Sequence, residues 1–167
     1  EGPTTTHLYD GSSWTSGGAY PFGGYQQAMA GTQTAAIASC GILPSGAPSM
    51  KSDAYEYNGS SWTATGSSLE QLATHAIRGT QTAALSYGGV TNPTSSGASF
   101  SQSYDGSVFS TNANLGTARR VFASGGGTGS SVVVSGGTAV GPGSATTATE
   151  EFSPGTETVT ASTLTSS

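Results

Sequence analysis

An all-β array of repeated four-stranded units is the fold class this sequence predicts, on three observations. Two separate phrases return together every 47 or 48 residues, Asp-Gly and Asn-Gly pairs punctuate short β-prone runs, and Gly, Ser, Thr and Ala dominate a 167-residue chain in which only 8% of residues are charged. Low charge alone would also suit a disordered linker, but disorder does not require aromatic and aliphatic residues at fixed intervals.

The first phrase is Tyr9-Asp10-Gly11-Ser12-Ser13-Trp14-Thr15, which returns as Tyr57-Asn58-Gly59-Ser60-Ser61-Trp62-Thr63 and as Tyr104-Asp105-Gly106-Ser107-Val108-Phe109-Ser110, with a worn copy from Phe152. It reads as two antiparallel strands joined by a tight two-residue turn whose Asp-Gly or Asn-Gly pair supplies positive φ angles. The second phrase is Gly31-Thr32-Gln33-Thr34-Ala35-Ala36-Ile37, repeated at Gly79 to Leu85 and, loosely, at Gly127 to Val133. It reads as a strand of small residues, closed by Cys40-Gly41, Gly88-Gly89 or Gly136-Gly137, that lets neighbouring sheets approach closely. A further strand is expected just before it, at 25–30, 73–78 and 121–126. Helix is not expected: the one helix-friendly stretch, Ser68 to His75, corresponds to Tyr20-Pro21-Phe22-Gly23-Gly24 in another unit.

The hydrophobic strand closed by Gly-Gly, the Tyr-Asp-Gly, the Trp five residues after the Tyr, and Thr117-Ala118-Arg119-Arg120 together resemble the kelch repeat. The wording is similar, more narrowly, to kelch-like repeats of phage tail-fibre and virion structural proteins. The resemblance implies kelch-like β-propeller blades in one repeat domain: a partial blade at 4–16 holding only the two outer strands, then blades at 17–64, 65–111 and 112–164. Three and a half blades fall short of the four to eight of a closed ring, so part of a larger propeller, or an oligomer, is expected. The missing initiating Met suggests the former.

Composition narrows function. Four basic residues and a formal net charge of −5 give no footprint for nucleic acid. No apolar run is long enough to cross a bilayer, and the first residues do not read as a secretion signal. The single Cys40 cannot form an internal disulfide. His7 and His75 have no partners at metal-ligand spacing, Cys40 does not recreate the copper site of kelch-type galactose oxidases, and Gly125 to Gly129 lacks the Lys-Ser/Thr of a phosphate loop; no cofactor or metal is expected. Asp10, Asn58 and Asp105 are explained by turn geometry rather than calcium, and Trp14 and Trp62 by packing between blades rather than sugar stacking. Glu70, Glu150, Glu151 and Glu157 are too few and unrepeated to support hydrolysis.

What varies between units are the loops, and shared positions hold a fold while unshared ones are free for recognition. In a kelch-like blade the loops 16–24, 64–71 and 111–119 emerge on one face with those after Gly-Gly. Tyr20 and Phe22 are expected there as an exposed aromatic pair, with Glu70, Gln71 and Arg119 as polar contacts. The expectation is a non-enzymatic module of a virion surface or extracellular setting, a tail-fibre or surface protein that self-associates or joins other virion or filament proteins and binds a host-surface glycan or protein. The alternatives are a structural subunit of an extracellular filament or shell, and a fragment of a secreted carbohydrate-active enzyme.

Overall fold

The computed structural model describes residues 4–44, 49–91, 96–139, 144–153 and 160–162. Among them there is no helix. The strands are β1 (His7–Tyr9), β2 (Trp14–Ser16), β3 (Ala28–Thr32), β4 (Ala35–Leu43), β5 (Ser49–Tyr57), β6 (Trp62–Ala64), β7 (Ala76–Thr80), β8 (Ala83–Tyr87), β9 (Ser101–Tyr104), β10 (Phe109–Thr111), β11 (Ala123–Thr128), β12 (Ser131–Ser135), β13 (Thr149–Phe152) and β14 (Thr160–Ser162). They form three antiparallel four-stranded meanders, β3-β4-β5-β6, β7-β8-β9-β10 and β11-β12-β13-β14, preceded by the two-stranded sheet β1-β2. The worn copy at Phe152 falls largely outside the described residues, as does Glu157.

Both phrases turn out to encode hairpin tips. In the first, Tyr9 pairs with Trp14 and Tyr57 with Trp62. The Asp or Asn does not take a positive φ; only the glycine does, at +102° for Gly11, +94° for Gly59 and +97° for Gly106. The acidic or amide side chain acts instead as an acceptor inside the turn. Asp10 Oδ1 takes the backbone N–H groups of Ser12 and Ser13, both at 2.8 Å, Asn58 Oδ1 those of Ser60 and Ser61, and Asp105 Oδ1 those of Ser107 and Val108. These bonds hold the Asp10 and Asp105 carboxyls below the usual carboxylate range.

The second phrase, expected to be one strand, is broken by the tight two-residue turn that was assigned to the first. Thr32 pairs with Ala35 and Thr80 with Ala83, leaving Gln33-Thr34 and Gln81-Thr82 as turns. Gly79 shows why the glycine recurs: φ is +126°, and a Cβ there would lie 2.2 Å from the Ala83 carbonyl and 2.8 Å from the Gly129 backbone. The tips of the second and third four-stranded sheets therefore touch backbone to backbone.

The sheets pack face to face with their first strands adjacent, β3 against β7 and β7 against β11. Ala28, Ile37, Ala54, Ile77, Ala84, Tyr104 and Phe109 fill the space between the first and second four-stranded sheets, and Leu85, Tyr87, Val132 and Val134 that between the second and third. Polar side chains span the same gaps. Gln81 Nε2 donates to the carbonyls of Ala36 (3.3 Å) and Tyr57 (2.8 Å), and Arg78 Nη2 to that of Ser124 (2.9 Å).

Equivalent positions separate in burial according to whether a neighbouring sheet covers them. Tyr57 and Tyr104 are each 2% exposed, while Tyr9 is 48% exposed; Phe109 is 6% exposed and Trp14 69%. At the other end Ile37 and Leu85 are 0% and 1% exposed, while Val133 is 38% exposed. The repeat thus places the same or a similar apolar side chain at each position, and packing decides its environment.

Candidate functional site

The variable loops, expected to be free for recognition, are clamped to their own sheets. One inner position on the third strand of each sheet is occupied by Tyr55, Gln102 or Glu150, paired across to Ala38, Ser86 and Val134 respectively. Each reaches the loop that precedes its sheet, and the loop's sequence suits the side chain it must satisfy.

Tyr55 is met by aromatics. Tyr20 lies 5.5 Å from its ring centroid edge-on and Phe22 lies 6.1 Å away, with Tyr20 also edge-on to Trp62 at 5.0 Å. Tyr20 and Phe22 are therefore half-buried in a ring stack rather than displayed as an exposed pair. Gln102 is buried, and its Oε1 accepts the Leu69 N–H (2.9 Å) while its Nε2 donates to Ser68 Oγ (2.6 Å).

Glu150 corrects the sequence reading most sharply. It accepts the N–H groups of Gly116 (2.6 Å) and Thr117 (3.0 Å) and forms a buried ion pair with Arg119, which is fully buried and also donates to the Gly136 and Ala148 carbonyls. Arg119 is a core residue that ties loop 112–119 to its sheet, not a surface contact. Glu70 and Gln71 are exposed, on the loop before the second four-stranded sheet, away from the Tyr20 and Phe22 rings before the first and from Arg119 in the core of the third.

Where the structure does bring units together is at the start of the inner strands. The isolated bridges Tyr25–Ile42, Ala73–Val90 and Arg120–Thr138 occupy the same position in each unit. The residue after each bridge has a left-handed backbone without being glycine: Gln26 at φ +63°, Thr74 at +52° and Val121 at +49°. That conformation costs of order 1 kcal/mol or more per residue, and such strain gathers where a site is preorganised. Tyr25, Gln26, Thr74, Arg120 and Val121, with Ile42 and Val90, line a groove of about 260 Å³.

Its chemistry is that of a hydrogen-bonding site with an apolar wall. The Arg120 guanidinium has no ion-pair partner among the described residues, and Thr74 Oγ1 is buried without a hydrogen bond. Tyr25 is 45% exposed and brings an aromatic ring to the lining. By contrast, the enclosed space between the second and third sheets, beside Leu85 and Glu150, amounts to about 10 Å³, room for no more than one water molecule. Among the described residues no group of three His, Cys, Asp or Glu side chains could hold a metal.

Next to the groove, His75 is buried, with Nε2 3.3 Å from Ser39 Oγ and Nδ1 unpaired. Loss of water pushes its pKa down from 6.5 to about 4. Because the unfolded chain binds this proton more readily, stability is complete above about pH 6.5 and falls as pH drops toward 4, by roughly 3 kcal/mol in total. Urea titrations between pH 7 and 4 should show that loss, and His75→Asn should flatten it.

None of the family models and none of the curated proteins matches the chain. Among solved structures, that of a protein called YjhT superposes on it with a TM-score of 0.76 at 16% identity, over 95% of this chain. The chain spans 58% of the YjhT chain. At that identity the likeness concerns the fold: an all-β architecture of successive antiparallel sheets.

The sequence reading missed the groove. In the sequence Tyr25, Ala73 and Val121 mark only the starts of expected strands, and Arg120 only part of a repeat signature. The one available signal was positional: Gln26, Thr74 and Val121 are spaced by 48 and 47 residues like every other repeat position.

Proposed function

We propose that the chain is an arc of a kelch-like β-propeller serving as a non-enzymatic binding module of a virion surface or other extracellular setting, and that it takes a host-surface glycan in the groove at the start of the inner strands. The observation that carries this reading is the convergence there of an unpaired Arg120, an orphaned Thr74 hydroxyl, the Gln26 amide and the Tyr25 ring on three left-handed backbone corners. Sugars present hydroxyls for the polar groups and C–H faces for an aromatic ring. The lining includes no carboxylate, the group on which glycoside hydrolysis usually relies for acid–base work.

Binding of the chain to an array of bacterial and animal oligosaccharides tests this. Arg120→Ala removes a charge-assisted hydrogen bond worth about 1.5–3 kcal/mol, so affinity for the best-bound glycan should fall roughly 10- to 100-fold. Tyr25→Ala should weaken it too, while Glu70→Ala and Gln71→Ala leave it unchanged. Wild-type affinity in Arg120→Ala with an unaltered melting curve would sink the proposal.

The exposed Tyr9 and Trp14 at one end and Val133 at the other favour a second reading, a structural subunit of a filament or shell in which neighbours cover those faces.

A further inference from the structure

The turn that joins β5 to β6 differs from its sister turns in one chemically important group. The chain has four asparagines, Asn58, Asn92, Asn112 and Asn114, and only Asn58 precedes a glycine, the residue with no side chain to shield its backbone nitrogen from the amide before it. In the sister turns the same position is Asp10 or Asp105. Their carboxyls, held below the usual range by the backbone N–H groups of the turn, stay ionised and resist attack by a nucleophile. Asn58 puts a neutral amide in that place.

The groups around that amide are arranged for an intramolecular step. Asn58 Oδ1 accepts the N–H groups of Ser60 (3.0 Å) and Ser61 (2.9 Å) and the hydroxyls of Ser60 (2.9 Å) and Ser61 (3.4 Å). Four donors therefore already surround the oxygen on which negative charge would develop if a nucleophile attacked Cγ. The Gly59 N–H and the Asn58 Nδ2 group have no hydrogen-bond partner among the described residues, and Asn58 is exposed. Nucleophile and leaving group are free, while the oxygen of the electrophile is held.

We propose that Asn58-Gly59 is a self-modifying site at which water converts Asn58 to aspartate, giving this turn the residue that its sister turns carry from synthesis. Gly59 N gives its proton to a solvent base and attacks Asn58 Cγ; the new C–N bond forms as the carbonyl electrons move onto Oδ1. Their return expels Nδ2, protonated by solvent, as ammonia and leaves a five-membered imide. Water then opens the imide. Attack at Cγ breaks the new bond and leaves a side-chain carboxyl on an unaltered backbone; attack at the backbone carbonyl breaks the original peptide bond and routes the chain through the side chain, one methylene longer. The fold favours the first product. An aspartate can take the Ser60 and Ser61 N–H groups as Asp10 Oδ1 takes those of Ser12 and Ser13. A lengthened backbone would displace Ser60, whose carbonyl lies so close to Gly18 that a Cβ there would collide with it. Conversion adds one negative charge to the formal −5 of the chain. The proposal does not depend on what the groove binds.

The test follows the full 167-residue chain in mildly alkaline buffer by peptide mapping that separates aspartate from isoaspartate, beside a synthetic peptide of residues 55–64. The mass gain of an NH2-to-OH exchange should appear at Asn58 and not at Asn112 or Asn114, with aspartate the main product in the folded chain and isoaspartate a larger share in the peptide. Asn58→Gln, whose longer side chain would have to close a larger ring, should abolish it. Ser60→Ala removes one donor to Oδ1 and should slow it about three- to tenfold. Asn58→Asp, the finished product, should melt as the unmodified chain does. Persistence of Asn58 in the folded chain while the peptide converts fully, a rate unaffected by Ser60→Ala, or isoaspartate as the main product in the folded chain would overturn the assignment.

Discussion

Glu150→Ala is expected to destabilise the chain by about 3–5 kcal/mol, because it leaves the fully buried Arg119 guanidinium without its carboxylate and the Gly116 and Thr117 N–H groups without their acceptor. The loss should appear as a lower urea midpoint, with loop 112–119 opening first. The second sheet provides the compensating design. There the positions of Arg119 and Glu150 are held by Leu72 and Gln102, both fully buried, with Gln102 bonded to the preceding loop. The double variant R119L/E150Q should therefore recover most of the lost stability, since exchanging a whole buried ion pair for a packed, satisfied alternative is often neutral or better. A double variant as unstable as Glu150→Ala would mean that the two sheets do not solve the same packing problem in interchangeable ways.

Leu85→Ala should cost about 2–5 kcal/mol, the range for truncating a buried leucine in a core that cannot fully collapse. Val133→Ala, at the same repeat position but 38% exposed, should cost less than about 1 kcal/mol. The difference follows from a single cause: the third four-stranded sheet covers Leu85, and no sheet among the described residues covers Val133. Paired denaturation curves of the two variants check it. Equal costs would show that Val133 is covered in solution by something outside the described residues, a result that would also bear on self-association.

The strand count, the hairpins and the packing of Trp62 between sheets were legible because each depends on local residues repeated at a constant interval, whereas Trp14, expected to pack in the same way, is 69% exposed because no described sheet lies against it. The turn chemistry was legible only in outline. Asp10 and Asn58 were recognised as turn residues, but for a φ angle that Gly11 and Gly59 carry, while their own contribution is a side-chain acceptor. Arg119 and Arg120 mark the harder limit. Neighbours in extended backbone point to opposite sides, so one of the two enters the core and the other lines the groove. Nothing in a lone Arg-Arg pair says which without knowing that Glu150 waits inside. The loops misled for a related reason. Their variation between units reads as freedom, yet it follows Tyr55, Gln102 and Glu150, three different side chains placed in one position some 48 residues apart. Nor does any glycine mark the left-handed corners at Gln26, Thr74 and Val121.

The central functional claim places recognition at those corners rather than on the loops. Amide chemical-shift mapping of the labelled chain, titrated with the best-binding oligosaccharide from the array, tests it most directly. The account predicts that the largest shifts fall on Tyr25, Gln26, Thr74, Arg120 and Val121. Shifts centred instead on Glu70 and Gln71, with the groove residues unmoved, would contradict it.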